Sequence, residues 1–124
     1  MPSHTVLVVE DNQDLRETLL ELFESYGYEA VGAMHGREAL DKLDALGLPP
    51  SVIVLDLMMP VMDGWSFREE QLKKPAVSEV PVIVISAYDA VPYQVQDLRP
   101  AAYLKKPINV QDLMSVVQRH CPAF

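Results

Sequence analysis

The chain has almost nothing that would tie it to a disulfide framework, a membrane or a polyanion. Its one cysteine, Cys121, cannot form an internal bridge, and its place near the end of the chain reads as packing or surface rather than catalysis. Apolar runs stop after about four residues, far short of the ~20 that span a bilayer, and the N-terminus lacks the charged-then-apolar layout of a signal peptide. A soluble cytoplasmic protein with no membrane partner is expected. Basic residues are scarce, 10 against 18 acidic for a net charge of −8, and they adjoin only at Lys73-Lys74 and Lys105-Lys106. Polyanion binding draws on clustered Lys and Arg, so direct nucleic-acid binding is not expected. No repeat, linker or low-complexity tail interrupts the chain. One domain over 1–124, without an output domain, is the expectation.

What the chain does have is four short apolar runs that each end in polar residues able to do chemistry. Val6-Leu7-Val8-Val9 meets Glu10-Asp11, Val52-Ile53-Val54-Leu55 meets Asp56, Val82-Ile83-Val84-Ile85 meets Ser86, and Ala102-Tyr103-Leu104 meets Lys105-Lys106. Short β-branched runs separated by helix-like stretches read as buried parallel strands. Tyr28 to Ala33 supplies a further strand. In an open α/β sheet the carboxyl ends of the strands share one edge, where ligands bind.

Between the runs, Leu15, Leu19, Leu22, Phe23 and Tyr26 recur at helical spacing before Gly27, a C-cap candidate. Ala39, Leu40, Leu43 and Leu46 mark a second helix, stopped by Gly47 and Pro49-Pro50. Residues 59–64 read as a loop, followed by a third helix over Trp65 to Lys74 with a weak apolar stripe at Phe67 and Leu72. Pro92 and Pro100 confine the next helix to about two turns, so a short or distorted fourth helix is expected. Asn109 is a good N-cap for a last helix whose Val110, Leu113, Met114 and Val117 face inward. The alternation predicts a doubly wound five-stranded parallel sheet with helices on both faces.

Three carboxylates at one crevice, Glu10, Asp11 and Asp56, need a cation or a proton: two unit charges ~4 Å apart repel by about 4 kcal/mol at an effective dielectric of 20. Mg²⁺ (or Mn²⁺) suits them, because it takes one or two carboxylates and completes its shell with water and phosphate oxygens. That ligand set points to phosphoryl chemistry, with Lys106 as the opposing charge and Ser86 as a hydroxyl donor. Asp56, alone at its strand end, is the best nucleophile. Taken singly, Asp11 or Asn12 reads as a helix cap, Asp63-Gly64 as a turn, Lys105-Lys106 as a solvated pair and Tyr103 as a core aromatic. Independent caps and turns do not predict these groups together at four strand ends.

Val-Val-Glu-Asp-Asn at 8–12, Val-Leu-Asp-Leu-Met-Met-Pro-Val-Met-Asp-Gly at 54–64, Ile-Ser-Ala at 85–87 and Tyr-Leu-Lys-Lys-Pro at 103–107 resemble the response-regulator receiver domain of two-component signalling. The resemblance covers the whole chain in order and implies strand order 2-1-3-4-5. It implies Asp56 as phosphoacceptor for a sensor histidine kinase or histidine phosphotransfer protein. It implies Asp11 and Asp56 as Mg²⁺ ligands, with Glu10 holding a metal-bound water and the Met58 carbonyl as a further ligand. Lys106 and Ser86 would bind the phosphoryl group, Tyr103 would be the aromatic switch, and the Lys106-Pro107 peptide would be cis. Met58 and Tyr88 would flank the path of attacking water and slow dephosphorylation. The output implied is a downstream protein target or a fused output domain, with a monomer or weak dimer as the state.

The chain departs from that pattern at Arg99 and Pro100, where receivers usually carry Gly-Ala. A residue before proline is pushed toward extended conformations, so the left-handed glycine cap is not expected to carry over. Two other readings compete: a degenerate receiver acting only as a protein-binding module, against which the retained site residues argue, and a phosphohydrolase of haloacid dehalogenase type, which would need an Asp where Met58 stands. A flavodoxin-like flavin binder is disfavoured because Glu10-Asp11 would repel phosphate.

Overall fold

The computed structural model describes residues 4–87 and 95–121. Five strands, β1 (Thr5–Val9), β2 (Glu29–Ala33), β3 (Val52–Asp56), β4 (Val82–Ser86) and β5 (Ala102–Lys105), form one all-parallel sheet in the order β2-β1-β3-β4-β5. The helices among the described residues are α1 (Gln13–Ser25), α2 (Gly36–Ala45), α3 (Gly64–Leu72) and α4 (Val110–His120). None of these is long and apolar enough to cross a membrane.

The unbroken apolar runs are explained by burial on both faces. Successive side chains of a strand point to opposite sides. Leu7, Val9, Ile53, Leu55, Val82 and Val84 pack with Ala39, Leu40 and Leu43 of α2 and Phe67 of α3. Their neighbours Val6, Val8, Val52, Val54, Ile83 and Ile85 pack with Leu19 and Phe23 of α1 and Leu113, Met114 and Val117 of α4. β3 and β4 are buried along their whole length, whereas β2 and β5 are only partly covered, as edge strands must be.

Local chemistry sets the helix ends. Asn12, Asp63 and Asn109 each accept from the backbone N–H three residues on, at 3.0, 2.8 and 3.0 Å, and His35 Nδ1 does the same for Glu38 at 3.1 Å. Gly27, at φ 93°, closes α1 with its N–H on Glu24 O while Tyr28 N–H reaches back to Phe23 O, a Schellman motif. Tyr28 therefore belongs to that cap rather than to β2, and its hydroxyl donates to the carbonyl of the buried Cys121.

Several sequence expectations need correction. Val110 is 47% exposed rather than inward, as the first residue of α4, and the inward stripe is Leu113, Met114, Val116 and Val117. Leu72 is 42% exposed, and α3 buries Phe67, Arg68 and Gln71 instead, which is why its apolar stripe is weak. Gly64 is helical and Asp63 is its N-cap, so this pair is more than a turn. Arg99 is left-handed at φ 51° despite Pro100, a conformation whose support is described below. The expectation of a short or distorted fourth helix covers 87–101, of which 88–94 lie outside the described residues. After them, Leu98 N–H bonds Val95 O and Arg99 N–H bonds Gln96 O.

Candidate phosphoryl-transfer site

Register brings the polar strand ends into one row. Val9 pairs with Leu55, Asp56 with Ile85 and Ser86 with Lys105, so the residues that end β1, β3, β4 and β5 stand side by side at the carboxyl edge of the sheet. Glu10 is fully buried there. Its N–H donates to Ala33 O, its carbonyl accepts from Arg16 Nη1 at 2.9 Å, and its Oε2 accepts from Asn12 N–H at 3.0 Å. Asp56 is also buried, while Asp11 beside them is exposed. One carboxylate oxygen from each of the three lies within 4.8 Å of the others.

Lys106 reaches into this cluster from beyond β5. The Lys106-Pro107 peptide is cis, and Lys106 N–H holds Ser86 O at 2.9 Å, which anchors the start of that loop to β4. Its Nζ lies 2.7 Å from Glu10 Oε1 and 3.6 Å from Asp56 Oδ2. Burial pulls the Lys106 pKa down, but Glu10, Asp56 and Asp11 outweigh it and the net shift is upward. For Asp56, burial first and the Glu10 charge second push the carboxyl up to about 7, against the opposing pull of Lys106. One ammonium does not neutralise three carboxylates.

The donor set fits a hard divalent cation. It is all oxygen, it converges within one ion's reach, and the Lys106 ammonium on Glu10 Oε1 leaves it net negative. Ser86 is fully buried at the end of β4, and Tyr103 is half-buried on β5, packed against the α2–α3 side of the core. The Met58 side chain is 54% exposed and its N–H lies 3.4 Å from Asp56 Oδ1. Tyr88 lies outside the described residues.

Two features of the loop after Asp56 were missed by sequence reasoning. A Cβ on Gly64 would stand 2.7 Å from the Asp56 carbonyl oxygen and 2.8 Å from Leu57 Cα, so α3 starts directly against the backbone of Asp56. Val61 has φ 67°, and Met62 N–H bonds Pro60 O at 2.7 Å around it, a γ-turn of the rare positive-φ hand. The turn presents Met62 O to Gly36 N–H at 3.0 Å and so docks the loop on the start of α2. The Asp-Gly step was the only sequence signal for the first feature, and the second had none.

Comparison with known proteins places this geometry in context. Residues 6–118 match the family model of the response regulator receiver domain. The chain is 28% identical to protein PilG of Pseudomonas aeruginosa over 121 residues, covering 96% of this chain and 88% of PilG. It is 36% identical over 112 residues to response regulator MprA of Mycolicibacterium vanbaalenii, of which it spans only 47%. Among solved structures, Vibrio cholerae chemotaxis protein CheY4 superposes with a TM-score of 0.86 at 28% identity, over 96% of this chain and 99% of that one. The receiver domain of the Francisella response regulator 1452 follows at 0.78 and 32% identity, over 92% of this chain and 93% of that one.

Proposed function

Because the chain belongs to the response regulator receiver domain family, we propose that Asp56 is its phosphoacceptor and that Ser86, Tyr103 and Lys106 convert the phosphoryl group into a change of interaction surface. The observation that carries this reading is the placement of Lys106 against Glu10 and Asp56, with the three carboxylates in one cluster. A degenerate receiver has no use for that concentration of buried charge.

Glu10, Asp11 and Asp56 would hold Mg²⁺ or Mn²⁺, Glu10 through a water, with the Met58 carbonyl as a further ligand. When bound, the cation offsets the carboxylate charge and that of the incoming phosphoryl oxygens. The rest of the chemistry belongs to the chain. An Asp56 carboxylate oxygen attacks phosphorus in line, the new O–P bond forms as the P–N bond of a phosphohistidine breaks, and the freed imidazole takes a proton from solvent. Asp56 must be ionised to attack, so its raised pKa makes a nearby positive charge a condition of reactivity. The Lys106 ammonium pairs with a phosphoryl oxygen and the Ser86 hydroxyl donates to another. The added charge biases Ser86 and Tyr103 rather than building a new fold. Met58, with Tyr88, restricts the approach of water to phosphorus and slows dephosphorylation.

The donor is a sensor histidine kinase or a histidine phosphotransfer protein, and the receiver of the signal is a protein target or a fused output domain, in the cytoplasm. Intact mass after incubation with Mg²⁺ and acetyl phosphate tests the central claim. One phosphoryl adduct is expected in the native chain and none in Asp56→Asn. An undiminished adduct in the variant, or no adduct from either acetyl phosphate or a kinase, overturns it.

A further inference from the structure

Arg68 is a buried cation outside the phosphoacceptor site. It lies on α3, only 7% exposed, and its guanidinium is spent on amide oxygens: Nε donates to Leu98 O at 2.8 Å, Nη2 to Arg99 O at 3.2 Å and Nη1 to Gln71 Oε1 at 2.7 Å. Gln71, fully buried, is held in turn by donating through Nε2 to Val77 O at 2.9 Å and Val80 O at 3.2 Å. Burial and the neighbouring Arg99 charge pull the Arg68 pKa below its usual value. Two long polar side chains on the inward face of a helix are unusual, and both are aimed at loop backbone.

The loop that Arg68 holds contains one of the two non-glycine residues with positive φ among the described residues. Arg99 is left-handed, a region that glycine enters freely and other residues enter at a cost, and Pro100 discourages it further. Without a glycine, the Leu98 and Arg99 carbonyls of this turn are satisfied by a guanidinium from α3. Directly beyond the turn, Ala101 N–H bonds Val82 O at 2.8 Å, and β5 follows in register with β4.

We propose that Arg68 is a positioning residue that caps the Leu98-Arg99 turn from outside, so fixing where β5 begins and with it the placement of Tyr103 and Lys106. The proposal rests on the phosphoacceptor reading only for the jobs of those last two residues. Arg68 substitutes for the glycine that the turn lacks, and Gln71 orients it.

A double-mutant comparison tests this on the full chain without any phosphodonor, so its failure is separate from failure of the phosphoacceptor reading. Arg68→Met is expected to lower the folding equilibrium constant ~10- to 100-fold in urea titrations, the usual range for charged hydrogen bonds. The same change in an Arg99→Gly background is expected to lower it at least ~5-fold less, because glycine relieves the strain that the clamp offsets. Amide exchange supplies the local readout. Arg68→Met is expected to reduce protection of Ala101 and Lys106 relative to Val8 of β1, and Arg99→Gly to restore it. Should Arg68→Met fail to fold, Arg68→Lys, which keeps the charge but not the fork, runs the same comparison with and without Arg99→Gly. An equal loss in both backgrounds, or parallel loss of protection at Ala101, Lys106 and Val8, overturns the proposal.

Discussion

Lys106 Nζ stands closer to Glu10 Oε1, at 2.7 Å, than to Asp56 Oδ2, at 3.6 Å. The ammonium leans on Glu10 rather than on Asp56, the proposed phosphoacceptor. This partition leaves Asp56 underneutralised, and it sets up the response of the site to mutation and pH.

Lys106→Met leaves the fully buried Glu10 and the buried Asp56 without their cation. Removing one member of a buried ion pair is costly, and at pH 8 without divalent cations a stability loss of about 2–4 kcal/mol is expected. The loss shrinks at pH 5, where protonation of Asp56 relieves the repulsion. Urea midpoints at the two pH values check both parts. Phosphoryl uptake from acetyl phosphate in Mg²⁺ falls at least ~10-fold, since the loss removes a charge that faces the transferred group.

The Asp56 carboxyl, pushed up to about 7 from an ordinary 3.8, makes the fold less stable as pH rises. The folded state binds more protons than the unfolded chain between those two values, so the slope of unfolding free energy with pH is negative there. The stabilising proton is fully present below about 4 and lost as pH passes through 7. Asp56→Asn removes this contribution. The difference in unfolding free energy between Asp56→Asn and the native chain, from urea titrations, is therefore expected to grow from pH 4 to pH 8, reaching on the order of a few kcal/mol. Mg²⁺ relieves the same repulsion, so it stabilises the native chain more at pH 8 than at pH 5.

The legible parts of this protein are those in which one residue property does one job. β3 and β4 are buried throughout and apolar up to their last residue, so Val52 to Leu55 and Val82 to Ile85 announce strands covered on both sides. Glu10, Asp11, Asp56, Ser86 and Lys106 could be placed together from sequence because each stands at or just beyond the carboxyl end of an apolar strand run, and the parallel register does the rest. The hidden parts break that correspondence. Arg68 and Gln71 occupy core positions of α3 while satisfying distant carbonyls, so periodicity counts them as surface. Arg99 adopts a glycine-like conformation that depends on a side chain from another helix. Long-range hydrogen bonds to backbone leave no local pattern.

Gly64 is a test of how closely α3 is pressed on the site. In Gly64→Ala the new Cβ meets backbone of Asp56 and Leu57, which has no flexible end to move aside. Overpacking of this kind is expected to destabilise by about 1–3 kcal/mol. Relief comes by shifting the Asp56-Leu57 segment, so acetyl phosphate uptake slows by more than the unfolded fraction explains. Measuring uptake per folded molecule, with the folded fraction taken from circular dichroism, separates the two effects. Uptake that simply tracks the folded fraction would show that Asp56 keeps its place.

Val61 carries the opposite expectation. A β-branched residue at φ 67° is strained, and with 77% of its surface exposed it recovers little by packing. Strain of this type costs about 1–3 kcal/mol, while a new glycine adds roughly 0.4–1 kcal/mol of unfolded-chain entropy. Val61→Gly is expected to stabilise the fold by about 1 kcal/mol, a rise in Tm of roughly 3–5 °C for a domain of this size. The γ-turn is expected to survive, since Met62 N–H to Pro60 O and Gly36 N–H to Met62 O are backbone bonds that the substitution leaves intact. A thermal melt that moves downward would mean that the Val61 side chain supports the loop through contacts worth more than its strain.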